Sequence, residues 1–94
     1  MPANTTVTVP ANTWTQLTSG DVTAITFQNL GTGGLAILAT VGATAPTNRS
    51  GAILYPPLAG ERNTPLSDLF PGVSGATRVY ARSASRSEVM VSHA

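Results

Sequence analysis

The chain has 94 residues, only 10% of them are charged, and its formal net charge is +1. It has five arginines and no lysine, so it lacks the clustered basic excess that general nucleic-acid binding needs. It has no cysteine, which excludes disulfide and thiolate chemistry, and no apolar run of the ~20 residues needed to cross a bilayer. We therefore expect a single domain, residues 1–94, without nucleic acid or membrane as a partner.

Short segments of alternating apolar and polar residues, separated by glycine and proline, are typical of β-strands and fill most of the chain. Strands are predicted at residues 5–9, 13–18, 22–29, 35–41, 52–55, 77–83 and 88–92. About seven short strands with frequent turns predict an all-β fold, a compact antiparallel β-sandwich or barrel. Residues 1–9 are predicted to form a short extended arm that could add a strand to a neighbouring sheet edge.

One segment, "NTPLSDLFPG", has the pattern of a helix. Proline suits the first helical position, and the leucines and phenylalanine share one face. Pro71 and Gly72 end the pattern, so we expect one short helical turn near residues 65–70.

The final stretch, "RVYARSASRSEVMVSHA", has Arg78, Arg82 and Arg86 at the four-residue spacing of a basic helix stripe. A helix here would contain several serines and no continuous apolar stripe, which makes it a poor helix. A period of two fits better, because it places valines on one face of each of two strands. We therefore predict a β-hairpin with the polar loop "SASRS", and Val79, Val89 and Val91 facing inward.

Catalytic and metal-binding patterns are missing from the sequence. His93 is the single histidine and has no cysteine or carboxylate at ligand spacing. No "GxSxG" motif occurs, and "GTGG" at residues 31–34 precedes a strand and lacks the lysine of a phosphate-binding loop. We expect no catalytic, cofactor-binding or metal-binding residue, and a protein that is not an enzyme.

The best candidates for a protein interface are Arg78, Tyr80 and Arg82, which alternate on the outward face of one predicted strand. Arginine and tyrosine are enriched at the energetic centres of interfaces. The alternative is an ordinary solvated face that pairs with Glu88 across the predicted hairpin. Glu61 and Arg62, in the predicted loop "LAGERNTP", are weaker candidates of the same kind.

Four segments, "WTQLTSGDVTAITFQNLG", "VGATAPTN", "LSDLFPGVSGATRVYARS" and "VMVSHA", resemble small head structural proteins of tailed bacteriophages. The resemblance covers residues 5–94 and is to capsid decoration, or cement, proteins. It implies a protein of the virion that binds the outer capsid surface and stabilises the shell. Its expected partners are the major capsid protein and further copies of itself.

The start "MPANTTVTVP" lacks the basic and apolar regions of a secretory signal, so we expect synthesis in the host cytoplasm and residence on the virion. A receptor- or glycan-binding module of a phage head spike or fibre is the alternative function. That function would use exposed aromatic rings, for which Trp14, Tyr55 and Tyr80 are the candidates.

Overall fold

The structure of the protein is a computed structural model that describes residues 2–94. Those residues form eight strands and one short helix. The strands are β1 (Ala3–Val9), β2 (Thr15–Gln16), β3 (Ala24–Asn29), β4 (Leu35–Thr40), β5 (Ile53–Tyr55), β6 (Gly60–Pro65), β7 (Arg78–Arg82) and β8 (Ser87–His93), and the helix is α1 (Leu66–Leu69).

The strands form two four-stranded sheets, which we call the first sheet, in the order β1-β8-β3-β6, and the second sheet, in the order β2-β7-β4-β5. All pairs between these strands are antiparallel. Eight antiparallel strands divided in this order between two packed sheets make a jelly roll. The predicted all-β fold is thus confirmed, as a sandwich.

The core between the sheets is built by the strand alternation that the sequence predicted. Along β8, residues facing the core alternate strictly with partly exposed residues. Val79, Val89 and Val91 are fully buried, as expected from a period of two. The helix α1 contributes Leu66 to the same core, and Phe70, the residue directly after the helix, is buried in it too. The helical turn predicted near residues 65–70 is therefore confirmed.

The predicted β7–β8 hairpin is wrong. Strand β7 lies in the second sheet between β2 and β4, whereas β8 lies in the first sheet between β1 and β3. Their connection crosses from one sheet to the other, so Val79 and Val89 face the core from opposite sides. The valine pattern fits either arrangement, because a period of two fixes which face of a strand is buried but not which strand pairs with it. In the observed one, each strand is an inner strand of its sheet with a hydrogen-bonded neighbour on both sides.

Strand β6 was not predicted, because its sequence "GERNTP" has no apolar alternation and resembles a loop. It lies at an edge of the first sheet and pairs with β3, with a register shift between Ile25 and Phe27. Asn63, with φ of 43°, is in the left-handed region of backbone conformation. An edge strand of this kind buries few side chains, so hydrophobic pattern alone does not reveal it.

The arm predicted over residues 1–9 is extended over residues 3–9 but is not a free arm, and residue 1 lies outside the described residues. Residues 3–9 form β1, which pairs with β8 from Ala3 opposite His93 to Val9 opposite Ser87. One of its two backbone edges is therefore used inside its own chain, and the other forms the outer edge of the first sheet.

Candidate protein interface

Arg78 lies on the outer face of β7, but its guanidinium group is bound within the chain. Its Nε donates a hydrogen bond of 2.8 Å to Asp21 Oδ1, and its Nη1 lies 3.4 Å from Gln16 Oε1. Only 24% of the Arg78 side-chain surface is exposed. Arg78 therefore fastens the segment before β3 to the second sheet, and an external partner would compete with Asp21 for it.

Tyr80 points away from the core, yet it is buried, with 4% of its surface exposed. Its hydroxyl lies 2.7 Å from the carbonyl oxygen of Ala43 and 3.0 Å from Gln16 Oε1, and either oxygen can accept its proton. The segment that follows β4 thus folds back over the ring. The expectation that Tyr80 offers an exposed aromatic surface is wrong, because a loop distant in sequence covers it.

Of Arg78, Tyr80 and Arg82, the residue whose side chain remains available to bind a partner is Arg82. It pairs in register with Ala36 of β4, and Ala36 pairs in register with Leu54 of β5. The three side chains therefore lie side by side on the outer face of the second sheet. Leu54 is 67% exposed, and the guanidinium of Arg82 makes no hydrogen bond or ion pair with any residue in 2–94.

A shallow cavity of about 330 Å³ lies at the end of this row and is lined by Ala36, Arg49, Ala52 and Leu54. Arg49 is exposed, and within residues 2–94 its guanidinium also has no carboxylate partner. We call Ala36, Arg49, Leu54 and Arg82 the arginine–leucine patch. It combines two cationic groups with an exposed apolar side chain, and it offers them to a partner with carboxylates beside apolar groups.

The carboxylate of Glu61, on β6, is hydrogen-bonded within the chain. Its Oε2 accepts a hydrogen bond of 3.0 Å from the hydroxyl of Tyr55, the last residue of β5. Burial raises the pKa of Tyr55 above its ordinary range, and the hydrogen bond to Glu61 and its negative charge add to the rise. Glu61 is therefore engaged with a buried tyrosine of the other sheet.

Arg62, the fifth predicted residue, is exposed and makes no ion pair within residues 2–94. It lies beside an open groove of about 270 Å³ on the first sheet, lined also by Gln28, Leu58 and Met90. Because Arg62 and Glu61 belong to the first sheet and Arg82 to the second, the five predicted residues do not form one surface.

Arg49, Leu54 and Leu58 were missed by the sequence reasoning. Leu54 follows the alternation of β5, so its outward position could have been inferred from Ile53 and Tyr55 on either side. Leu58 is 69% exposed and has φ of 69°, which is unusual for a residue with a side chain. A double proline precedes it in "PPLAG", and that turn signal could have drawn attention to it.

The surroundings of His93 and Trp14 are those of buried or partly buried residues of the fold. His93 is buried at the end of β8, and its Nε2 accepts a hydrogen bond of 3.1 Å from the backbone N–H of Ser19. Trp14 is partly buried, and its Nε1 has no hydrogen-bond partner among the described residues. Within residues 2–94, no three His, Asp or Glu side chains come together as a metal site would require.

The chain was compared with protein-family models, with characterised proteins and with solved structures, and none of the three comparisons gave a match. No helix within residues 2–94 has both the length and the apolar character needed to cross a membrane.

Proposed function

We propose that the protein is a structural component of a bacteriophage virion, a decoration or cement protein that binds the outer surface of the assembled capsid. The arginine–leucine patch is the observation that most supports a binding role. Exposed leucine and unpaired arginine on one sheet face are typical of protein interfaces, where arginine is enriched and apolar surface is covered on binding.

The resemblance of four segments to phage head proteins is what supports a role in the virion, as distinct from binding in general. The jelly roll is compatible, since this fold occurs in viral capsid proteins, but it also occurs in lectins and cupins. The low charge of the chain leaves little electrostatic repulsion between copies crowded on one particle.

The proposed mechanism is stabilisation by binding. A ligand that binds only the assembled shell stabilises it by mass action, and many copies add their separate contributions over one particle. The partner is the major capsid protein, and the patch calls for a site on it that presents carboxylates next to apolar side chains.

The alternative, a receptor- or glycan-binding module, has less support. Such a module needs aromatic rings at its surface, whereas Tyr55 and Tyr80 are buried and Trp14 is partly buried. Because Tyr80 is buried and bonded to the carbonyl oxygen of Ala43, we expect Tyr80→Ala to disturb the segment that covers the second sheet, and not a receptor site.

The test uses capsids assembled without the protein, to which purified wild type or a variant is added. We expect wild type to bind with a fixed number of copies and to raise the melting temperature of the shell. Arg82→Ala and Leu54→Ala should each weaken binding about 10- to 30-fold if they are interface centres. Arg86→Ala, the same change at an exposed site outside the patch, should bind normally.

Absence of the protein from virions, or capsid stability that is the same with and without it, would refute the proposed function. Binding to host cells in place of capsids would favour the receptor-binding alternative.

A further inference from the structure

The four edge strands of the sandwich differ in how well they are protected against pairing with another strand. Protein edges are usually protected by short length, charged residues, proline or a bulge. In the second sheet, β2 has two residues, and β5 has three and is followed by two prolines. In the first sheet, β6 contains Glu61, Arg62 and Pro65, and Asn63 interrupts its regular conformation.

Strand β1 is the least protected of the four: Pro2 and Pro10 flank it, but the strand itself is long and regular. It has seven residues, "ANTTVTV", with no charge and no proline, and its register with β8 is continuous. In an antiparallel ladder about half of the backbone N–H and C=O groups of an edge strand point away from its neighbour. Within residues 2–94, those of β1 make no hydrogen bond beyond the ladder with β8. Of the four edge strands, β1 is therefore the one most suited to pair with another strand.

We propose that β1 pairs with β1 of a second copy of this chain, antiparallel and about a two-fold axis at Thr6. In this register Thr6 lies opposite its own counterpart, and Asn4 lies opposite Thr8 on the outer face. On the core-facing side, Val7 lies opposite Thr5. The two first sheets would join into one continuous sheet of eight strands.

The absence of charge favours a second copy as the occupant. Residues 2–20 contain no ionisable side chain, so two identical strands meet without the like-charge repulsion that commonly prevents self-pairing. Threonine and valine side chains have high β-propensity, and Thr–Thr pairs across strands are favourable.

The shallow core beneath β1 also favours this pairing. Val9 is fully buried, but Val7 is only partly buried and Thr5 is exposed, although the three share the core-facing side. A second β1 would cover Val7 and Thr5 where the facing sheet does not.

The first test is disulfide cross-linking, for which the chain is well suited because it has no cysteine of its own. Residues directly opposite in an antiparallel pair have Cα atoms about 4.5–5.5 Å apart, within the range that a disulfide can span. Thr6→Cys should therefore give a linked dimer on mild oxidation. Asn4→Cys alone should not, because its two copies would lie roughly 14 Å apart.

A mixture of the Asn4→Cys and Thr8→Cys variants should link, since these positions are opposite in the proposed register. Thr47→Cys, at an exposed loop position, measures the rate of random collision. Linking of Thr6→Cys no faster than Thr47→Cys would overturn the proposal, as would a register in which Asn4→Cys links and Thr6→Cys does not.

The second test is the oligomeric state in sedimentation experiments over a range of concentrations. Wild type should dimerise, and Thr6→Lys should be monomeric, because it places two ammonium groups opposite each other. Thr6→Glu should also be monomeric, and mixing the two variants should restore a dimer that weakens with salt. Thr47→Lys adds the same charge elsewhere and should leave the dimer intact.

A wild type that stays monomeric at every concentration would refute self-pairing. These experiments use the isolated protein and do not depend on the proposed capsid function, so either proposal can fail without the other.

Discussion

The hydroxyl of Tyr55 donates a hydrogen bond of 3.0 Å to Glu61 Oε2, and this bond joins the edge strands of the two sheets. Tyr55 ends β5 in the second sheet, and Glu61 lies on β6 in the first. The Tyr55 ring also packs edge-on against Phe27 of β3, with centroids 5.0 Å apart and an interplanar angle of 86°. One polar and one aromatic contact therefore close this side of the sandwich.

This relationship predicts a loss of stability at alkaline pH. Because the pKa of Tyr55 is raised in the folded protein, the unfolded chain loses the tyrosine proton first as the pH rises. The stability from this group is complete below the ordinary tyrosine pKa, about 10, and is lost progressively above it. Denaturant unfolding should show a steeper alkaline decline for wild type than for Tyr55→Phe, and equal declines would contradict the assignment.

Asn29 should be among the least replaceable polar residues in the described chain. It is fully buried, and its Nδ2 donates to the carbonyl oxygens of Gly33 and Tyr55. Its Oδ1 accepts from the Gly31 N–H at 2.9 Å and from the Ser87 hydroxyl at 3.2 Å. Removal of the amide leaves several buried groups without partners, each at a cost of about 1–3 kcal/mol.

We therefore expect Asn29→Ala to lower the free energy of unfolding by about 3 kcal/mol or more. Asn48→Ala is the control, because Asn48 makes one bond to the Ser50 N–H in an exposed loop. Its effect should be under about 1 kcal/mol. Similar losses for both variants in denaturant unfolding would show that the buried network around Asn29 is not a main source of stability.

Replacing Gly60 and Gly72 by alanine should have very different effects on the stability of the protein. A Cβ at Gly60 would collide with the backbone carbonyl of Phe27 on the neighbouring strand, which cannot move without breaking the sheet. A Cβ at Gly72 would meet nothing within 4 Å. Gly60→Ala should cost about 3 kcal/mol or more, and Gly72→Ala should be within about 0.5 kcal/mol of wild type. Thermal melting of both variants checks this difference, and a neutral Gly60→Ala would contradict the close approach of β6 to β3.

Substitutions of Arg78 and Arg82 should have different effects, the first on stability and the second on capsid binding. Arg78→Ala removes the bonds to Asp21 and Gln16 and should cost roughly 1 kcal/mol, about 4–8 °C in melting temperature. Arg82→Ala should stay within about 0.5 kcal/mol of wild type, because its guanidinium is bound to nothing in residues 2–94. Under the proposed function, Arg82→Ala is the one of these two variants that weakens capsid binding while the protein stays folded. The opposite pattern would move the interface away from the arginine–leucine patch.

Strand positions could be predicted from the sequence wherever a strand has one buried face. In β8, Val89 and Val91 alternate with Glu88, Met90 and Ser92, and a period of two is a local property, so the predicted strand and its inward face were both correct. In β6, the edge position removes that alternation, and "GERNTP" contained no pattern to detect. Pairing could not be predicted in the same way, because a short polar loop can close a hairpin or cross between sheets. The β7–β8 connection crosses between the sheets. Each of the two strands then pairs with strands that are distant in sequence, and a local pattern cannot reveal those partners.

The sequence by itself determined that this chain forms short strands around one apolar core, and that Arg78, Tyr80 and Arg82 share a strand face. A side-chain period of two is enough for both conclusions. Only the tertiary structure decided which of those side chains are available to a partner. Asp21 binds Arg78, the segment after β4 covers Tyr80, and Arg82 is left beside Ala36 and Leu54. The physical reason is that exposure depends on what packs over a face, and in this fold that material comes from segments remote in sequence.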